Sequence, residues 1–245
     1  MITAITPIQP GDSKKTNAKY AIWQYSAPLP PDSLMWSVGG ANIENFLVIA
    51  EAWSSLVSRY TRPDCVVLDI GCGCGRTARH LLSNRFINAY IGFDVIKENI
   101  EWCQNFLTPT FIAKSTFTHH NIYSKEYNPA GAILAKDFTF PAENRAIDVA
   151  FAASLFTHLL EDDCIRYLNE TARVLKIGGI AILSIHTNSG DLNYIGTETR
   201  VDINQEYFVS LAKKQGLELI DYIEDFGGQQ VCIFQNGQKA TQVNG

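Results

Sequence analysis

VVLDIGCGCGR, residues 66–76, runs an apolar strand into three glycines at alternate positions, and the chain continues as a helix-forming stretch, TARHLLS. A strand that ends in glycines and restarts as a helix lets backbone and ligand approach closely at the turn. A pyrophosphate-binding turn of the dinucleotide type needs glycines at relative positions one, three and six. Here they stand at Gly71, Gly73 and Gly75, with Arg76 in the sixth place. Asp69, two residues ahead of the first glycine, would repel a pyrophosphate and attract a cation.

Working outward, the next strand, AYIGFDV, puts Asp94 at its carboxyl edge, where a carboxylate can accept both hydroxyls of an unphosphorylated ribose. Strand CVVLDI, helix GRTARHLLSN, strand AYIGFDV, helix KENIEWCQNFL and strand TFTHHN make two consecutive βαβ units. That order implies a parallel, doubly wound sheet with right-handed crossovers. Upstream, NIENFLVIAEAWSSLVSRY repeats apolar residues at helical spacing. Downstream come a long polar connection (122–146), the strand IDVAFAAS, the helix DDCIRYLNETARVLK and the strand IAILSIH. After an irregular stretch, HTNSGDLNYIGTETR, follow the helix QEYFVSLAKKQ and the segments LELIDYI and QQVCIFQ, joined only by EDFGG. That link is too short for a parallel crossover, so the last two strands pair antiparallel. The expected fold is therefore α/β, a doubly wound Rossmann-like sheet of seven strands, mostly parallel with a C-terminal antiparallel hairpin. Residues 1–41 form an irregular N-terminal arm, 42–236 the folded domain and 237–245 a polar tail.

With 20 Lys and Arg against 25 Asp and Glu, the net charge of −5 and the lack of any basic run beyond Lys14-Lys15 argue against a nucleic-acid partner. No stretch is long and apolar enough for a membrane span, and no secretory leader is recognisable, so a cytoplasmic location is expected. Six cysteines, at 65, 72, 74, 103, 164 and 232, show neither Cys-x-x-Cys pairs nor zinc spacing, which predicts reduced thiols and no metal site. Asp162 and Asp163 read as acids in a first helical turn, and His119 and His120 as structural.

Asp-x-Gly-x-Gly-x-Gly with an acid after the next strand, the segment SLFTHLLEDDCIRYLNETARVLKIGG and the terminal hairpin together resemble the class I S-adenosylmethionine-dependent methyltransferases, over about residues 42–235. The resemblance implies S-adenosylmethionine as cofactor, its methionine ammonium held by Asp69. Gly71, Cys72 and Gly73 would let it lie on the loop, Asp94 would take the ribose hydroxyls, and Val95 would pack on the adenine. Ser154, heading the SLFTH segment, belongs to the same expected set. The adenine edge falls to Asn121 and Ile122, or to Asp137 with Phe138 at the far end of the long connection.

The implied activity is methyl transfer to a small-molecule acceptor, with O-methylation of a hydroxylated metabolite or sugar expected. Nucleobase amino methylation usually shows Asn/Asp-Pro-Pro-aromatic, and YNPAG, 127–131, departs from it. In-line methyl transfer draws on positioning and desolvation, and a poorly acidic hydroxyl adds the need for a base. Two histidines are candidates: His186 at the end of IAILSIH and His158 in FTHLL. The acceptor pocket is expected from Trp23, Tyr25 and Trp36 of the arm, the long connection, and Tyr194. The arm reads as a lid dispensable for folding, so that removing residues 1–36 would spare the fold. Two rivals remain at this level: a nicotinamide-dependent oxidoreductase, and a non-catalytic methyltransferase-like partner subunit.

Overall fold

The computed structural model describes residues 27–83, 87–188, 190 and 192–237. Helix α1, Asp32–Ser37, and helix α2, Ile43–Ser58, precede strand β1, Val66–Ile70. Asn42 starts α2 by accepting the amide of Asn45 on its side chain (2.8 Å), which satisfies a donor the first helical turn leaves open. The wound part then alternates: α3 Arg76–Ser83, β2 Ala89–Asp94, α4 Lys97–Trp102 running into a π-helical turn at Cys103–Leu107, and β3 Lys114–His119. After the long connection come β4 Ile147–Ala152, α5 Glu161–Val174 and β5 Leu175–Thr187. The chain finishes with β6 Tyr194–Thr197, β7 Arg200–Ile203, α6 Gln205–Lys214, β8 Leu217–Ile223 and β9 Gln230–Asn236.

The sheet runs β3-β2-β1-β4-β5, all parallel, and continues from β5 into antiparallel β9 and β8. Alternation along the strands fills both faces, as a parallel sheet requires. Val67, Val149, Phe151 and Ile182 pack with Trp53, Val57 and Leu81 of α2 and α3. Leu68, Ile70, Ala150, Ala152 and Leu183 pack with Tyr167 and Leu168 of α5 and Phe208 of α6 on the other face. Because β1 leads to β2 on one side and neighbours β4 on the other, the strand order reverses at β1/β4. A crevice opens there, beyond the carboxyl ends of the strands, where sheets of this kind hold ligands.

One expectation needs correcting. The stretch read as irregular after β5 is a second antiparallel hairpin, β6–β7, which brings the sheet to nine strands. Its β7 pairs parallel with His186 and Thr187 at the tip of β5, beyond the segment that pairs with β9. Strands of four residues with Gly196 in the first carry too little alternation to be read from sequence.

The described part of the arm is fastened to the folded domain. Arg79 is only 1% exposed, and its guanidinium donates to the carbonyls of Ala27 (2.7 Å) and Pro28 (2.9 Å). Met35 is buried with Phe46, Leu47 and Cys74, and Arg76 donates to the Val38 carbonyl (2.7 Å). Residues 27–40 are thus fastened across the glycine loop. Trp23 and Tyr25 lie outside the described residues. Among the described residues no helix is long and apolar enough to cross a membrane.

Candidate functional site

A cavity of about 240 Å³ sits over the carboxyl ends of β1, β2 and β4. Asp69, Gly71, Cys72, Gly73, Asp94, Val95, Ser154 and His158, all singled out in the sequence, line it. The arm contributes Ser37, Val38 and Gly39. Arg76, Asn99, Tyr127, Leu155 and Tyr167 complete much of the wall.

The glycine loop is braced by its own chain. The amides of Gly71 and Cys72 donate to the Phe93 carbonyl (3.0 and 2.9 Å), that of Gly73 to Asp94 Oδ2 (2.8 Å), and that of Gly75 to the Cys72 carbonyl (3.1 Å). Such a loop offers a flat, narrow surface rather than a nest of amides for phosphate. Gly73 shows why: its φ is +53°, and a Cβ there would lie 2.3 Å from Val38 Cγ1. The glycine is what lets the arm close over the loop.

Two carboxylates flank this surface. Asp94 is 8% exposed, and its Oδ1 also accepts the Ile96 amide (2.8 Å). Each of its oxygens keeps a further lone pair. Asp69 is 2% exposed, bonded on Oδ2 by the Tyr90 hydroxyl, and burial pushes its carboxyl up to about 7. The Tyr90 bond and the Arg76 charge oppose that rise, and Asp94 adds to it. A buried carboxyl in this state is poised for a cation, which would restore its charge. Arg76, the cation of the same wall, has its own pKa lowered by burial. Its signal in the sequence was its place directly after the last glycine.

Ser154, at the end of β4, has φ +66°, a conformation uncommon for any residue but glycine. It is held there by its amide donating to Ser184 Oγ (2.7 Å) and by Gln229 donating to its hydroxyl (2.6 Å). Strain of this kind gathers at functional sites. His158 projects from the short turn Phe156–His158, with Nδ1 3.0 Å from the Glu198 carbonyl and Nε2 3.2 Å from the Tyr127 hydroxyl.

The remaining expected residues fall elsewhere. His186 does not line the cavity; it lies at the β5 tip near Arg200 and Asp202, bonded to the Gly228 backbone, with burial lowering its pKa. Tyr194 spends its hydroxyl on the Leu159 carbonyl and packs against the core. Trp36 is 70% exposed and outside the cavity, because α1 turns its Met35 face inward. Asn121 uses its side-chain oxygen to accept from Asn128 (3.1 Å), Ile122 is buried among core side chains, and Asp137 is exposed. None of these three lines the cavity. All six cysteines are free and buried, and no metal-binding cluster occurs among the described residues.

A family described as a methyltransferase domain matches residues 68–183, from within β1 to within β5. A 1,6-didemethyltoxoflavin-N1-methyltransferase from Burkholderia thailandensis, solved with 1,6-didemethyltoxoflavin and S-adenosylhomocysteine, is similar at 15% identity and a TM-score of 0.60, over 96% of this chain and 94% of that one. An S-adenosylmethionine-dependent methyltransferase from Methanosarcina mazei is similar at 18% identity and a TM-score of 0.56, over 74% and 96%. A complex of the Haloferax volcanii Trm112 methyltransferase activator with a putative methyltransferase gives 14% identity and a TM-score of 0.59, over 86% and 100%. At these identities the solved structures speak to the fold.

Proposed function

We propose that this chain, whose residues 68–183 match a methyltransferase domain family, is a class I S-adenosylmethionine-dependent methyltransferase that methylates an oxygen of a small hydroxylated molecule, a metabolite or a sugar. One observation carries the choice of acceptor: His158 stands in the same cavity wall as Asp69 and Asp94. A hydroxyl nucleophile needs a proton acceptor beside it, whereas a neutral amine does not. The net charge of −5 disfavours a polyanionic acceptor, and six free cysteines suit the reducing cytoplasm.

The residues present suit the cofactor. Asp69 would face the methionine ammonium and Arg76 the methionine carboxylate. Gly71, Cys72 and Gly73 would lie under it, Asp94 would accept the ribose hydroxyls, and Val95 would pack on the adenine, with Ser154 at the far wall. When bound, S-adenosylmethionine supplies a methyl group on a positively charged sulfur, which departs as a neutral thioether. The chain's own work is to align, to exclude water through Ser37–Gly39, and to take a proton.

A carboxyl at about 7 gives this reading a pH signature. Below that pH the free protein holds a proton on Asp69 that must leave before an ammonium binds. Affinity for S-adenosylhomocysteine should therefore fall toward tenfold per pH unit on acidification below about 7. Adenosine, which has no ammonium, should bind with a flat profile over the same range. Calorimetry from pH 5.5 to 8.5 decides this, and parallel profiles for the two ligands would remove Asp69 from the ammonium site.

The acceptor reading is tested by S-adenosylhomocysteine release over a panel of phenols, catechols, sugars and amines. Turnover confined to amines would overturn it. With a methylated hydroxyl acceptor, His158→Ala should cost about 10²- to 10⁴-fold in kcat, the usual span for a lost general base. His186→Ala, outside the cavity, should stay within about threefold, and the reverse ranking would return the role to His186.

A further inference from the structure

Three irregular segments, far apart in sequence, converge at the rim of the cavity. The first is the YNPAG turn. Ser124 and Asn128 exchange backbone hydrogen bonds (3.1 and 2.9 Å), and the Asn128 amide donates to the Ile122 carbonyl (2.9 Å) and to Asn121 Oδ1 (3.1 Å). Gly131 packs so closely beneath that a Cβ would meet the Tyr123 nitrogen at 2.3 Å. The second is the turn Phe156–His158, and the third the β6–β7 turn, whose Glu198 carbonyl meets His158 and whose Thr199 hydroxyl reaches Glu126 (3.4 Å).

These contacts select the tautomer of His158. A carbonyl oxygen can only accept, so the Nδ1 facing Glu198 carries the ring proton. Nε2 then offers a lone pair, and the group against it is the Tyr127 O–H, at 3.2 Å. Tyr127 is the outer member of the pair, 37% exposed, and it lines the cavity beside His158. An acceptor entering from the rim meets the phenol before it can reach the imidazole.

We propose that Tyr127 is a catalytic residue that relays the acceptor's proton to His158. This rests on the O-methylation reading above. As the acceptor oxygen takes the methyl group, its proton passes to Tyr127 Oη while the phenolic proton moves to His158 Nε2. The imidazolium, held by the Glu198 carbonyl, then carries the one proton released per methyl transferred and returns it to solvent. Burial and the negative charges of Glu126 and Asp94 raise the Tyr127 phenol above its ordinary value, so it stays protonated near neutrality and acts by relay rather than as a standing phenolate. The β6–β7 hairpin gains a role as the strut that fixes the imidazole.

The test uses full-length protein labelled with ¹⁵N-histidine and bound to S-adenosylhomocysteine, with the His158 resonances assigned by their loss in His158→Gln. The expected spectrum shows Nδ1 protonated and Nε2 as a hydrogen-bonded imine nitrogen, which shifts toward a free imine in Tyr127→Phe. A protonated Nε2 with a bare Nδ1, or an Nε2 signal indifferent to Tyr127→Phe, would overturn the relay without need of an acceptor. In turnover of a methylated hydroxyl compound, Tyr127→Phe and His158→Gln should each lose about 10²-fold or more. The double variant should lose no more than the worse single, since groups acting as a unit are not additive. Additive losses, or a Tyr127→Phe enzyme within threefold of wild type, would also overturn it. Failure to bind S-adenosylhomocysteine would instead strike the underlying methyltransferase reading, and calorimetry on the same sample separates the two.

Discussion

Asp94→Ala should lose about 10²- to 10⁴-fold in affinity for S-adenosylhomocysteine, measured by calorimetry, while the protein stays folded. The carboxylate sits at the end of β2 with both oxygens anchored by backbone amides, Gly73 on one and Ile96 on the other. Two further hydrogen bonds from ribose hydroxyls to a charged acceptor contribute about 1.5–3 kcal/mol each. Their sum corresponds to the stated loss at 1.4 kcal/mol per tenfold. Asparagine cannot stand in, because its amide would point a donor at one of two backbone donors. Loss of loop bracing is separated from loss of ligand contact by comparing adenosine with 2′,3′-dideoxyadenosine. Wild type should discriminate strongly between them and Asp94→Ala hardly at all. Equal discrimination by both proteins would mean that Asp94 only shapes the loop.

Deleting residues 1–36 should lower the melting temperature by at least roughly 12 °C or leave the chain insoluble. The cut removes the Ala27 and Pro28 carbonyls from a guanidinium that is 1% exposed. Hydrogen bonds to a charged group contribute about 1.5–3 kcal/mol each, and uncovering the side chains around Met35 costs about as much again. Against a net stability of about 5–15 kcal/mol, with 1 kcal/mol moving the midpoint of a chain this size by about 2–4 °C, that is a large fraction of the fold. Adding Arg79→Met to the deletion should recover part of the loss, since the buried charge is then gone. A truncated protein that melts with the full-length chain would restore the arm to the role of a dispensable lid.

The fold was legible because its signals are local. Gly71, Gly73 and Gly75 behind an apolar strand, two βαβ units in succession and a five-residue link before the last strand each constrain the chain within a few residues. Hairpin β6–β7 escaped because its strands are four residues long and one contains Gly196. The attachment of the arm is illegible in the sequence for a different reason. Its tether is a pair of backbone carbonyls, which carry no mark in a sequence, meeting an arginine about fifty residues away.

The candidate site divides along the same line. Asp69, Gly71, Gly73, Asp94 and Val95 were found by sequence because strand geometry alone delivers the ends of neighbouring parallel strands to one edge of the sheet. Which of two histidines lines the cavity, and which tyrosine stands against it, was beyond reach. His186 ends an apolar strand and His158 stands in a short turn before a helix, and the β6–β7 turn, 40 residues from His158, helps fix it in the wall through the Glu198 carbonyl. Tyr127 reaches His158 across 31 residues because the YNPAG turn folds back on the end of β3. The sequence by itself determined the parallel core of the sheet with its terminal hairpin, the glycine loop and its two acids, through periodicity and covalent reach. Tertiary structure alone decided the rim of the cavity, because loops take their positions from packing and hydrogen bonds to distant backbone, and neither has a period to read.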